Sequence, residues 1–143
     1  MNNKDSLDKF VSAQQQDYET AFAEVKNGRK RSHWMWYIFP QVQGLGFSST
    51  AQFYGIKDLA EATAYLAHPL LGPRLVNICK ALLEQDKTNA LEIFGSPDDL
   101  KLGSSMTLFA EVKGADPVFE QVIHTFYGGK KDGKTLAILQ RQK

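Results

Sequence analysis

The sequence predicts an irregular all-α domain of about six or seven helices. Three observations carry that prediction. Apolar residues recur at helical spacing through most of the chain. Helix-start residues (Ser, Asp or Asn ahead of Pro or acids) and glycine stops punctuate it. No run alternates apolar and polar residues with β-branched enrichment, as a half-buried strand would. With 143 residues, 43% of them hydrophobic, the chain can bury one core but not two comfortable ones. One domain over residues 1–143 is expected, with residues 1–5 as a frayed start.

The first helix follows from Leu7, Phe10, Val11, Tyr18, Ala21, Phe22 and Val25. Ser6 or Asp5 can cap it, and Gly28 ends it. Gln14 interrupts its apolar stripe and reads as a boundary residue or as a polar group aimed into a pocket. The next stretch, Trp34 to Phe39, is apolar throughout and is followed by Pro40, which biases Phe39 toward extended backbone. A short buried helix from Ser32 to Ile38 is preferred, a single buried strand being the alternative. Gly44 and Gly46 make a loop, and Ser48, Ser49 and Thr50 are cap candidates for a short helix through Tyr54. Asp58 starts an Ala-rich helix through Leu66, punctuated by His68-Pro69. Pro73 suits the first turn of a helix carrying Leu75, Ile78, Cys79, Leu82 and Leu83. Thr88 can cap a short segment from Ala90 to Phe94, closed by Gly95. Ser96-Pro97-Asp98-Asp99 combines a cap, a first-turn proline and two acids on the positive end of a helix dipole. The helix it starts runs to Val112, with a loosened turn expected at Gly103-Ser104-Ser105 because an interior Gly costs about 1 kcal/mol relative to Ala. Asp116-Pro117 repeats the start signal for Val118 to Phe126, and Asp132 can cap a last helix through Leu139.

Composition excludes several function classes. A net charge of +1 gives no electrostatic case for nucleic acid. The single Cys79 cannot form an internal disulfide and fits a reducing cytosol. Met1 to Lys9 lacks the apolar core of a signal peptide, and the apolar run Trp34 to Phe39 is far below a membrane span. The expectation is a cytoplasmic protein without membrane attachment. His33, His68, Cys79 and His124 show no metal-ligand spacing, and no metal or cofactor is expected. No nucleophile elbow is present.

One motif is refused. Gly128 to Thr135 reads Gly-Gly-Lys-Lys-Asp-Gly-Lys-Thr, matching the phosphate-loop pattern letter for letter. That mechanism needs a strand leading in and a parallel sheet to hold a metal-binding acid. Here an amphipathic helix leads in, so the segment reads as a turn whose Asp132 caps the last helix, with mild anion binding still allowed.

The aromatic stretch carries the candidate site. Trp34, Trp36 and Phe39 can serve the core or form the floor of a pocket, and His33, Gln41 and Gln43 place polar groups at the rim. Arg29, Lys30 and Arg31 add charge suited to a solvated helix end or to phosphate.

The residues Ser32 to Gln41 with Gly44-Leu45-Gly46, then Tyr65 to Leu75, Ile93-Phe94-Gly95, Asp99 to Phe109, and Gly129 through Asp132 to Leu136 resemble a bacterial family of unknown function, DUF1810. Members of that family carry the label calpastatin without biochemical basis. The resemblance spans nearly the whole chain and implies a mainly helical single domain with no established activity. Ser49 to Lys57, with the run from Leu102 to Phe126, more faintly resembles the NADAR (YbiA-like) proteins of NAD and ADP-ribose chemistry. Those carry a glutamate where Thr50 and Ala51 stand here, so the resemblance implies a nucleotide-like pocket and not the same acid catalysis.

Two functions are therefore weighed. One is a pocket for a phosphorylated or ADP-ribose-like small molecule, walled by Trp34, Trp36, Phe39 and Tyr54. Gln41, Ser48 and Lys101 would give it polar contacts, with Ser104 and Ser105 at the loosened turn. If it is an enzyme, His33 is the natural acid/base, imidazole being the side chain that ordinarily titrates nearest neutrality. The other is a non-catalytic interaction module meeting a protein partner through exposed aromatic surface.

Overall fold

A computed structural model of the chain describes residues 3–142, with side chains from Ser6 onward. Nine helices form among them, not six or seven: α1 (Asn3–Lys26), α2 (Met35–Ile38), α3 (Ser49–Tyr54), α4 (Leu59–Ala67), α5 (Leu71–Glu84), α6 (Ala90–Phe94), α7 (Asp98–Ala110), α8 (Val118–Tyr127) and α9 (Gly133–Arg141). The surplus comes from one-turn segments such as α2, α3 and α6, whose short apolar runs have too few turns to display a period. No strand ladder forms among the described residues. A single parallel bridge joins Val42 to Ile56. Among the same residues, no helix is long and apolar enough to cross a membrane.

Start and stop chemistry explains most of the boundaries. Asp58 Oδ1 accepts from Glu61 N, and Glu61 Oε1 accepts in turn from Lys57 N. Ser48 and Asp132 cap α3 and α9 as expected. Gly128, at φ 61°, closes α8 in the left-handed region, with Gly129 N donating to the Ile123 carbonyl. Five expectations need correction. α1 is already helical at Asn3, so Ser6 lies inside the helix rather than ahead of it, and its hydroxyl donates to Glu61 Oε2 across to α4. Of the frayed start expected over residues 1–5, residues 3–5 belong to α1, and residues 1 and 2 lie outside the described residues. Asn89, not Thr88, caps α6, accepting from Leu91 N and Glu92 N. Pro97, not Ser96, holds the N-cap position of α7, and no side chain bonds there; the two first-turn acids remain as its favourable start. α2 spans a single turn from Met35, without Ser32 and His33.

α7 is the central element. It packs on α4, α6, α8 and α9, and every residue from Ser104 to Phe109 is buried. A helix covered on so many sides has no single apolar stripe. The loosened turn expected at Gly103 is regular helix. Gly103 is there because the Tyr127 ring lies where a side chain would go, 3.3 Å from a notional Cβ. α5 packs on α1, α4 and α8 and closes the other half of the core.

Gln14 is corrected as well. It is 2% exposed and is no boundary residue. Its Nε2 donates to the Tyr37 carbonyl at 2.7 Å and to the Tyr65 hydroxyl at 2.9 Å, tying α1 to α2 and α4. The Tyr65 hydroxyl is fully buried and the Tyr37 carbonyl part-buried, so the glutamine satisfies polar groups that the packed core would otherwise strand.

Candidate functional site

The aromatic stretch divides between core and surface. Trp34 and Phe39 are core: Trp34 is 1% and Phe39 0% exposed. Their rings meet each other and Phe94 at centroid distances of 6.2, 6.3 and 5.8 Å. A four-residue helix turns Trp36 the other way, and it is half-buried.

A carboxylate fixes this arrangement. Glu24 on α1 accepts from Arg31 N at 2.8 Å, Ser32 N at 3.0 Å, Ser32 Oγ at 2.6 Å and Trp34 Nε1 at 2.9 Å. Burial pushes its pKa up, but the bonds from Ser32, Arg31 and Trp34 together outweigh that and hold it at about 2. The link into the following loop is as specific. Gln43 N donates to the Ile56 carbonyl and Ile56 N to the Gln41 carbonyl. A Cβ at Gly55 would lie 2.9 Å from Gln43 Cα, so only glycine allows the two segments to approach. That pairing sets the position of Gln41.

Trp36, Gln41, Leu45 and Gly46 face α7 and the start of α9 across a cleft of about 280 Å³, completed by Pro97, Leu100, Lys101, Ser104, Asp132 and Lys134. Lys101 Nζ sits 3.9 Å from the Trp36 ring centroid and 3.2 Å from Asp98 Oδ1. Asp98 also pairs with Lys30 at 2.9 Å, and Lys30 lies over Trp34 at 5.1 Å. An acid thus stands between two lysines, each resting on a tryptophan. The Ser104 hydroxyl donates to the Leu100 carbonyl, leaving its oxygen able to accept. The Asp132 carboxylate accepts from Thr135 N and Thr135 Oγ1, and Asp132 N donates to Thr107 Oγ1 on α7. The cleft wall from α9 is therefore anchored to the central helix.

Of the residues expected from sequence, the structure brings together Trp36, Gln41, Lys101 and Ser104. Trp34 and Phe39 lie in the core, and Ser105 is fully buried. Tyr54 is half-buried against Phe10, Tyr37 and Phe53 and lines, with Trp36 and Gln41, a separate small recess. Ser48 is spent as the α3 cap. His33 is exposed, and its carbonyl accepts from the Tyr37 hydroxyl; its side chain does not line the cleft. Asp132 and Lys134 were missed. Their signal is the phosphate-loop lettering, which the sequence reading takes as an Asp132-capped turn that allows mild anion binding, without linking it to the aromatic stretch. Among the described residues, no group of three or more His, Cys, Asp and Glu side chains could hold a metal ion.

No curated protein matches the chain. It is similar over 94% of its length to the conserved hypothetical protein Rv1873 of Mycobacterium tuberculosis, known from a crystal structure at 1.38 Å. The two share 48% identity with a TM-score of 0.91, and the match covers 96% of that chain. The likeness to NADAR proteins is not among these matches. The model of a family described as proteins of unknown function, DUF1810, matches residues 4–139, and the chain belongs to that family.

Proposed function

We propose that this is a cytoplasmic protein whose cleft binds a small phosphorylated molecule, ADP-ribose-like compounds included. The observation that supports the reading is the convergence of Trp36, Gln41, Lys101 and Ser104, from two distant parts of the sequence, with Lys134 on one concave surface. An apolar wall with a few convergent polar groups is the usual make-up of a small-molecule site. Lys101 and Lys134 supply charge for a phosphoryl group, while Gln41 and Ser104 supply neutral hydrogen bonds that orient the rest. The reading is one of binding. His33 lies outside the cleft, so His33→Ala is expected to leave affinity unchanged.

A thermal-shift titration with AMP, ribose 5-phosphate and ADP-ribose tests it. A ligand at a hundredfold excess over its Kd stabilises the folded state by about 2.7 kcal/mol, a rise of several degrees for a domain of this size. Trp36→Ala and Lys101→Met should each abolish the rise. No rise with any of the three at millimolar concentration would refute the reading.

A second reading, a non-catalytic protein-interaction module, is favoured by a different observation. Phe47 is 85% and Phe53 55% exposed, a cost in apolar hydration that a partner could offset. Sedimentation that shifts with protein concentration and reverts in Phe47→Ser would support a self-associating form of it.

A further inference from the structure

We infer that the ligand of this cleft carries two adjoining phosphoryl groups, the second received by Lys130 and Lys134 in a neighbouring groove; the inference rests on the reading that the cleft binds a phosphorylated molecule. The groove holds about 540 Å³ beside the cleft and shares Leu100, Asp132 and Lys134 with it. Its floor is the Tyr127 ring, which can lie there because Gly103 has no side chain. The Tyr127 hydroxyl donates to the Asp99 carbonyl, so the ring is pinned and its polar end is used.

The charges in this groove are sorted. Lys131 is committed, pairing with Glu111 at 2.9 Å and Glu120 at 3.0 Å. Those two carboxylates raise its pKa and make it a strut for the loop. Asp132 is committed to the α9 cap. Lys130 and Lys134 are exposed, and among the described residues neither makes an ion pair. The loop that carries them is fixed from both sides, by Lys131 to the carboxylates and by Asp132 N to Thr107. Two uncommitted cations on a loop whose backbone is anchored give the groove positive charge that an anion can pair with. Lys134 lines both cavities, and so stands between a phosphoryl group beside Lys101 and one beside Lys130. A single phosphate would occupy the cleft and leave Lys130 without a role, whereas a diphosphate ester spans the pair. The resemblance of Gly128 to Thr135 to a phosphate loop is then a likeness of ligand chemistry without the fold or the hydrolysis.

Calorimetric titration of the full chain with AMP and with ADP tests this. ADP should bind about tenfold tighter than AMP, the gain expected of one added charge-assisted contact. Lys130→Ala should bring ADP to within twofold of AMP while leaving AMP unchanged, and Lys134→Ala should weaken both. Equal affinity for AMP and ADP in the unaltered protein would overturn the second subsite and leave the cleft standing, as would an ADP advantage that survives Lys130→Ala. Failure of AMP, ADP and ribose 5-phosphate alike would remove the cleft reading itself.

Discussion

Replacing Glu24 with glutamine removes one charge and keeps nearly every atom in place, so it isolates what the carboxylate does for the aromatic segment. Three donors converge on Oε1 and one on Oε2. The folded-state pKa is about 2 against an ordinary 4.5. That difference corresponds to roughly 3 kcal/mol at 1.36 kcal/mol per pKa unit, and partial solvent access screens it to about 2 kcal/mol. Because the pKa is lowered by folding, the stabilisation is complete above about pH 4.5 and is lost as pH falls toward 2. Urea unfolding at pH 7 should place Glu24→Gln about 2 kcal/mol below the unaltered protein, with a Tm lower by about 6 °C. The gap should shrink at pH 3. Glu24→Ala should cost about 1 kcal/mol more, since Trp34 Nε1 then has no acceptor in the core. A gap under about 0.5 kcal/mol at pH 7, or one of equal size at pH 3 and pH 7, would refute the charge argument.

Three further outcomes follow from the packing. Gly72→Ala would place a Cβ 2.0 Å from the Leu66 carbonyl oxygen; backbone must move, so a loss of about 3 kcal/mol in urea unfolding is expected. Gln14→Leu strips the Tyr37 carbonyl and the Tyr65 hydroxyl of their donor and should cost about 2 kcal/mol. Adding Tyr65→Phe should cost less than the two single changes summed, and strict additivity would argue against the bond. Cys79 is fully buried beside Met106, and burial, then the Asp116 charge, pushes its thiol pKa up. Native protein should therefore be inert to Ellman's reagent at pH 8 and release one equivalent of thiolate only in denaturant.

Sequence periodicity revealed the helices that present one face to the core, such as α5 and α8, and the start signals at Asp58 and Asp132 were read correctly. The helix α7 is legible too, from the acids that start it and the apolar residues that follow, but helix propensity makes Gly103 a weak point, and only the fold shows it as a socket for Tyr127. Gln14 misled for a related reason. A polar residue in an apolar stripe is ordinarily at an edge, and only tertiary structure brings the Tyr37 carbonyl and the Tyr65 hydroxyl to it. Within the aromatic stretch, spacing alone could not assign Trp34 to the core and Trp36 to the cleft. That split depends on where a one-turn helix begins, and its start is set by Glu24 ten residues away. Lys134 was visible as a letter in a pattern; its nearness to Trp36 required the fold.

In the proposed reading, the two lysines beside Asp98 divide the work of the site between structure and binding. Lys30 has a side chain only 9% exposed, donates to the Ser32 carbonyl and lies over the Trp34 ring, so its charge is held by several partners. Lys101 is 21% exposed, and its ties are one ion pair and the Trp36 ring. That pair is part-buried, at 21% and 18% exposure, so desolvation offsets much of its Coulomb gain, and a partly exposed cation–π contact adds on the order of 0.5–1 kcal/mol. In the proposed reading an arriving phosphoryl group needs to outbid only those two contacts for Lys101, because Asp98 keeps Lys30 when Lys101 turns away. The same acid therefore ties the Trp34 core to the start of α7 and holds a cation ready at the cleft, and the cation is uncovered over Trp36 without disturbing the core that positions it.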